Sequence, residues 1–178
     1  MTRAQLEHAI RAACDIADDT EVIIFGSQAI LGTYANPPDS ITASIEVDLQ
    51  PKNKPANADL VDGALGECSP FHETHGFYVH GLAIDPATLP SGWDQRTVSV
   101  SDPRTTRGNI GHCLEVHDLA ASKLLANREK DRVFVTNLLI ERLIEEKTLQ
   151  ERVEMLSVDP ARKQSMREWI RITMQDLG

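Results

Sequence analysis

Apolar positions recur at helical spacing from the first residues of the chain. Leu6, Ile10, Ala13 and Ile16 lie three or four positions apart, and Thr2-x-x-Gln5 has the form of a capping box. The spacing predicts an amphipathic helix over about residues 3 to 17, broken by Asp18-Asp19-Thr20. Glu21 to Phe25 (EVIIF) is short, apolar and rich in β-branched residues, which reads as a buried strand. Gly26-Ser27 follows directly, and Gln28 to Leu31 reads as a short helix stopping near Gly32. After a loop at Asn36-Pro37-Pro38-Asp39, the period changes to two. From Thr42 to Leu49, Ile45, Val47 and Leu49 point one way, and Ser44, Glu46 and Asp48 point the other. Ala58 to Leu65 reads as a helix. Gly76 to Ile84, Arg96 to Val100 and Cys113 to Val116 read as further strands.

From His117 the helical period takes over. One helix is predicted over His117 to Asn127. A long one follows from Asp131 to about Leu156, with Val135, Leu138, Leu139, Leu143 and Ile144 on its apolar stripe. Asp159-Pro160 places an N-cap before a first-turn proline and starts a last helix running to about Gln175. The layout is that of an α+β protein. A mixed β-sheet core occupies residues 1–116, and a helical part, residues 117–178, packs on it as a single compact unit. A dimer interface is the alternative use of the helical stripe.

A chain of 178 residues can bury a sizeable core. With 4% aromatic residues, that core must come from Leu, Ile, Val and Ala. A net charge of -9 argues against coating nucleic acid by bulk electrostatics, and leaves room for a local basic groove and for a cation site. Cys14, Cys68 and Cys113 are far apart and form no CxxC, which fits a reducing compartment. No signal-peptide segment and no membrane-length apolar run is present, so the expectation is a cytoplasmic protein.

Three features carry candidate chemistry. A strand ends in Gly26-Ser27, a second strand puts Glu46 and Asp48 on one face, and a basic helical segment carries Lys123, Arg128 and Lys130. Glycine lets backbone approach a phosphate, and the Ser27 hydroxyl adds a donor. Two carboxylates at i and i+2 on a strand project side by side and can share a divalent metal that also binds substrate phosphates. Lysine or arginine can neutralise a triphosphate.

The string Ile24-Phe25-Gly26-Ser27-Gln28-Ala29-Ile30-Leu31-Gly32, followed by Ser44-Ile45-Glu46-Val47-Asp48-Leu49, resembles the GS…[DE]xD signature of the nucleotidyltransferase-fold superfamily. The segment His117 to Leu124, with Arg128-Glu129-Lys130-Asp131 behind it, is similar to the lysine-bearing motif of that superfamily's AbiEii-type branch, which includes toxins of toxin–antitoxin systems and many short nucleotidyltransferase-like proteins. The resemblance implies a nucleotidyltransferase-like sheet core and Mg²⁺-dependent (or Mn²⁺-dependent) transfer of a nucleotidyl group. The donor would be an NTP, and the acceptor a nucleic acid, such as tRNA, or a protein. It implies nucleotide contacts at Gly26, Ser27, Lys123 and Arg128, metal at Glu46 and Asp48, and catalytic roles for Glu46, Asp48, Lys123 and Asp131. The chain departs from the pattern in two ways. Eighteen residues separate Ser27 from Glu46, and the first carboxylate is Glu. The third carboxylate that many such enzymes carry has Asp85 as its nearest candidate, with His80 as an alternative occupant. Without that carboxylate, the expectation shifts to a catalytically silent binding protein or a toxin–antitoxin partner.

Other groupings point less far. Cys68, His72 and His75, with His112, Cys113 and His117, match no standard zinc spacing and read as loop and core residues. Trp93 reads as a packing anchor. Arg96, Arg104 and Arg107, with Lys123, Arg128, Lys130 and Arg132, form either a basic patch or scattered solvated charges.

Overall fold

A computed structural model describes residues 1–177. The chain divides into two compact units, Met1–Ile84 with Thr97–Glu115, and Asp85–Arg96 with Val116–Gly178.

The first unit contains α1 (Arg3–Ala17), β1 (Glu21–Ile24), α2 (Ile30–Thr33), β2 (Glu46–Pro51), α3 (Ala58–Leu65), α4 (Pro70–His75), β3 (Tyr78–Gly81), β4 (Val98–Val100) and β5 (Ile110–Cys113). The five strands form one mixed sheet in the order β3-β2-β1-β5-β4. β1 pairs antiparallel with β2 and parallel with β5. β2 pairs parallel with β3, and β4 antiparallel with β5. Strand alternation gives the sheet two unlike faces. Val22, Ile24, Val47, Leu49, Val79 and Cys113 are buried on one, against the apolar side of α1 (Leu6, Ala9, Ile10, Ala13) and Val61 of α3. Glu46, Asp48, Tyr78, His80 and His112 lie half-buried on the other.

The helix over residues 3–17 is found with its capping box, and Asp18 closes it in the left-handed region at φ 50°. Two strands sit differently from their sequence reading. β2 starts at Glu46 rather than Thr42, because the preceding backbone is used elsewhere. The Ser44 hydroxyl accepts the Glu46 N–H, its carbonyl accepts from Gln28 Nε2, and Ile45 is left 45% exposed. The strand expected at Cys113–Val116 lies instead at Ile110–Cys113. Gly111 hides it from a pattern search, yet it belongs to the core face, where a Cβ would fall 2.7 Å from Ile24 Cδ1. Helix α4 had no sequence expectation; Ser69 caps it, Pro70 opens it, and Gly76 ends it at φ 70°.

The second unit contains α5 (Val116–Ala126), α6 (Glu129–Ile140), α7 (Glu146–Glu154) and α8 (Pro160–Leu177). The long helix expected from Asp131 to Leu156 is two helices. Arg142 takes φ 55°, the Leu143 N–H returns to the Leu138 carbonyl at 2.9 Å, and the Arg142 N–H to Leu139 at 3.1 Å. That is a Schellman closure, and it stops α6 although the apolar stripe continues through Ile144, Leu149 and Val153. Asp118, fully buried, accepts from Arg96 at 2.8 and 3.0 Å and pairs with Arg152 at 3.1 Å. Among the described residues, no helix is long and apolar enough to cross a membrane.

One buried carboxylate ties the entry of β1 to the exit of β2. Asp19 accepts from the N–H groups of Thr20 (2.7 Å), Glu21 (3.1 Å), Asn53 (2.8 Å) and Lys54 (3.0 Å), and from Asn53 Nδ2 (2.8 Å). Burial pushes its pKa up, but the bonds from Asn53, Glu21 and Lys54 together outweigh that and hold it below the usual carboxylate value. A depressed folded pKa stabilises the fold fully above the unfolded value of about 3.9, and the contribution is lost as pH falls through the folded pKa. Asp19→Ala should therefore cost about 3 kcal/mol at neutral pH, because several buried donors lose one charged acceptor. In urea unfolding followed by circular dichroism, the gap between wild type and variant should narrow steadily once pH drops below about 4.

Candidate functional site

Strand β2 presents Glu46 and Asp48 on its polar face because they are two residues apart. Strand β3 runs parallel beside it in a register that sets Tyr78 opposite Glu46 and His80 opposite Asp48. The His80 Nδ1 atom lies 3.1 Å from Glu46 Oε1 and 3.2 Å from Asp48 Oδ1. One donor atom from each of the three side chains falls within 4.8 Å of the others, and no other such His/Cys/Asp/Glu group occurs among the described residues. The side chains of Glu46, Asp48 and His80 are 33%, 25% and 44% exposed, so the cluster is open to solutes.

Tyr78 extends the cluster. Its phenol is held above the ordinary value by burial, then by the charges of Glu46, Glu67 and Asp48 and a hydrogen bond to Glu46. Its ring leans on His72 with centroids 5.0 Å apart.

The turn after β1 reaches the same place. Phe25 N–H donates to the Asp48 carbonyl at 3.1 Å. A Cβ on Gly26 would collide with the Asp48 side chain, 2.7 Å from Cγ and 2.8 Å from Cβ. Glycine is needed here for close approach, not for its dihedral freedom, since φ is -81°. Ser27 opens a 3₁₀ turn, Ser27–Ala29. Gln28 in that turn is fully buried. Its Nε2 holds the Ser44 carbonyl at 3.0 Å, and its Oε1 has no partner among the described residues. Gly26, Ser27, Glu46 and Asp48, read from separate parts of the sequence, thus meet at one place, joined by His80. Tyr78 and Gln28 were not singled out in the sequence. The period-two alternation that placed Glu46 and Asp48 would have flagged Tyr78 beside His80.

The remaining candidates lie in the second unit and are committed to one another. Asp131, 1% exposed, pairs with Lys123 at 3.3 Å and Arg128 at 2.6 Å, and Lys123 lies 5.7 Å over the Phe134 ring. Burial raises the Asp131 pKa, but the hydrogen bond from Arg128 and the charge and bond of Lys123 overcome this and leave it lowered. Asp85 caps its own 3₁₀ turn by accepting from Ala87 N–H at 3.0 Å. His80 stands beside the Glu46–Asp48 pair.

The cysteine and arginine groupings resolve into local roles. His72 Nδ1 accepts from Cys68 N–H at 3.1 Å, and His75 packs against His8 and Phe71. Burial pushes the Cys113 thiol up to about 12, the opposite of what a nucleophile needs. Arg96 is taken by Asp118, and Arg107 pairs with Asp15 at 3.1 Å.

The Gly26–Asp48 contact can be tested directly. Gly26→Ala should destabilise the protein by about 1–3 kcal/mol through overpacking and should move the His80 side-chain NMR resonances as Asp48 shifts. Gly63→Ala in α3, where a Cβ meets nothing within 4 Å, should leave His80 unmoved.

No family model, no curated protein and no solved structure matches this chain.

Proposed function

We propose that the chain is a metal-dependent nucleotidyltransferase that moves a nucleotidyl group from an NTP to an acceptor hydroxyl on a nucleic acid or a protein. The observation that carries the reading is the convergence of the Gly26-Ser27 turn with Glu46, Asp48 and His80 on the polar face of the sheet.

The donor set fits a divalent cation. Two carboxylates and an imidazole offer three ligand atoms, and the distances of 3.1 and 3.2 Å match neighbouring corners of an octahedron with bonds of about 2.1 Å. Glu46, Asp48 and His80 would hold the ion, which when bound supplies positive charge to offset the triphosphate. The chain's own work is positioning. The missing Cβ at Gly26 lets Asp48 lie against the turn that carries Ser27, whose hydroxyl would donate to a phosphate. In the reaction the acceptor oxygen bonds to the α-phosphorus, the bond from that phosphorus to the pyrophosphate oxygen breaks, and the acceptor proton leaves to solvent.

A second reading is favoured by one specific feature. The position beside the pair holds His80, where the resemblance calls for a third carboxylate. A protein that binds NTP without turning it over would be built this way.

Thermal-shift titration with each NTP, with and without Mg²⁺ or Mn²⁺, tests the site. The expected result is metal-dependent stabilisation in the wild type that is lost in Asp48→Ala and Glu46→Ala. Pyrophosphate release separates the two readings. Turnover falling by about 100-fold or more in either variant supports the enzyme. Stabilisation without release supports the silent binder, and no stabilisation by any NTP removes both.

A further inference from the structure

Two guanidiniums in the second unit carry charge that no neighbouring carboxylate meets. Arg132, near the start of α6, donates from Nε to Asn127 Oδ1 at 2.8 Å. Arg162, in the first turn of α8, donates from Nη2 to the Leu125 carbonyl at 2.8 Å. Both acceptors are neutral, so these bonds hold the guanidiniums in place and leave their charge unspent. Neither arginine forms an ion pair among the described residues, whereas Arg96, Arg107 and Arg171 each have an acid.

Arg132 and Arg162 line one cavity of about 180 Å³, to which Leu124, Met166 and Trp169 add apolar surface. Leu124 and Met166 are buried and Trp169 is half-buried. An apolar cavity of about 150 Å³ accepts benzene, so the space suits a single aromatic ring. The lining is of two kinds. An indole, a thioether and a leucine suit a ring. Two guanidiniums suit an oxyanion, to which they give charge-assisted bonds. A polyanion matches less well. Arg132 and Trp169 also line a neighbouring cavity of about 360 Å³, where the other charged residues are Glu129 and Asp176. A phosphate backbone continuing that way would meet carboxylates.

We propose that the cavity between α6 and α8 binds a small aromatic oxyanion, a carboxylate or a phosphate monoester. Its head group takes Arg132 and Arg162, and its ring packs on Trp169 and Met166. The site lies within the second unit and uses none of Gly26, Ser27, Glu46, Asp48 or His80.

The test titrates the full chain with benzoate and phenyl phosphate, by calorimetry and by tryptophan fluorescence in Trp93→Phe, where Trp169 alone emits. Benzyl alcohol supplies a ring without charge, and inorganic phosphate a charge without a ring. The expected result is saturable binding of an aromatic anion with a change in Trp169 emission, weakened about 10-fold or more in Arg132→Gln and in Arg162→Gln. The tighter of the two anions identifies the head group. Binding should persist in EDTA and in Asp48→Ala, and its loss there moves the ligand to the sheet and overturns the inference. Equal affinity for benzyl alcohol or inorganic phosphate also overturns it, as does no binding of either aromatic anion at millimolar concentration, or affinity unchanged in both arginine variants. A single-stranded oligonucleotide that displaces the aromatic anion, and binds more tightly as it lengthens, gives the surface to nucleic acid instead. Circular dichroism separates loss of the site from loss of the fold, and the comparison of charged with neutral probes needs no variant.

Discussion

Two carboxylates held side by side on one strand face are the constraint around which the polar face of this sheet is organised. Strand β3 answers with His80, the one side chain in parallel register that reaches both. The register in turn depends on the opposite face, where Val47 and Leu49 pack beside Val79. Slipping β3 by one residue would bury His80 and expose Val79. Core packing therefore fixes the position of the imidazole without any contact to it.

The turn after β1 is tied to the same constraint from the other side. Asp48 leans against Gly26 so closely that no side chain fits there, and β1 is held in line with β2 by Asp19, which gathers donors from the start of β1 and from the loop after β2. The peptide at Gly26, the Asp48 carboxylate and His80 are thus placed by three separate devices: a missing Cβ, a buried capping carboxylate and a strand register. Each is local, and each can be altered singly.

Much of this was readable in the chain, for identifiable reasons. The capping box at Thr2 and Gln5, the EVIIF strand and the period-two stretch around Glu46 and Asp48 are local signals. Local signals survive because the side chain and its consequence sit within a few residues. What did not show depends on partners far away in sequence. Gly111 looks like a breaker until Ile10 and Ile24 are known to lie over it. The break between α6 and α7 has no Gly or Pro to announce it, since Arg142 itself takes the left-handed conformation. His80 could be named only as one occupant of an uncertain position, because its meaning lies in the register with β2. The Lys123, Arg128 and Asp131 string was visible as a motif, but not as two cations gathered on a buried Asp131.

That last contrast separates the clusters chemically. Asp118 and Asp131 are each a single buried carboxylate met by two cations, Arg96 with Arg152 and Lys123 with Arg128. In such groups the charge of the buried carboxylate is already met by two cations. The group on β2 and β3 has the inverse ratio: two carboxylates share one imidazole and remain partly exposed. A carboxylate has about four lone-pair sites, so most of the acceptor capacity of Glu46 and Asp48 is unspent. A structural ion pair gains nothing from that surplus. A cation site needs the surplus, since its charge balance is completed only when the ion arrives. Of the charged groups described here, this one keeps acceptor capacity facing solvent, which is what the proposed metal site requires.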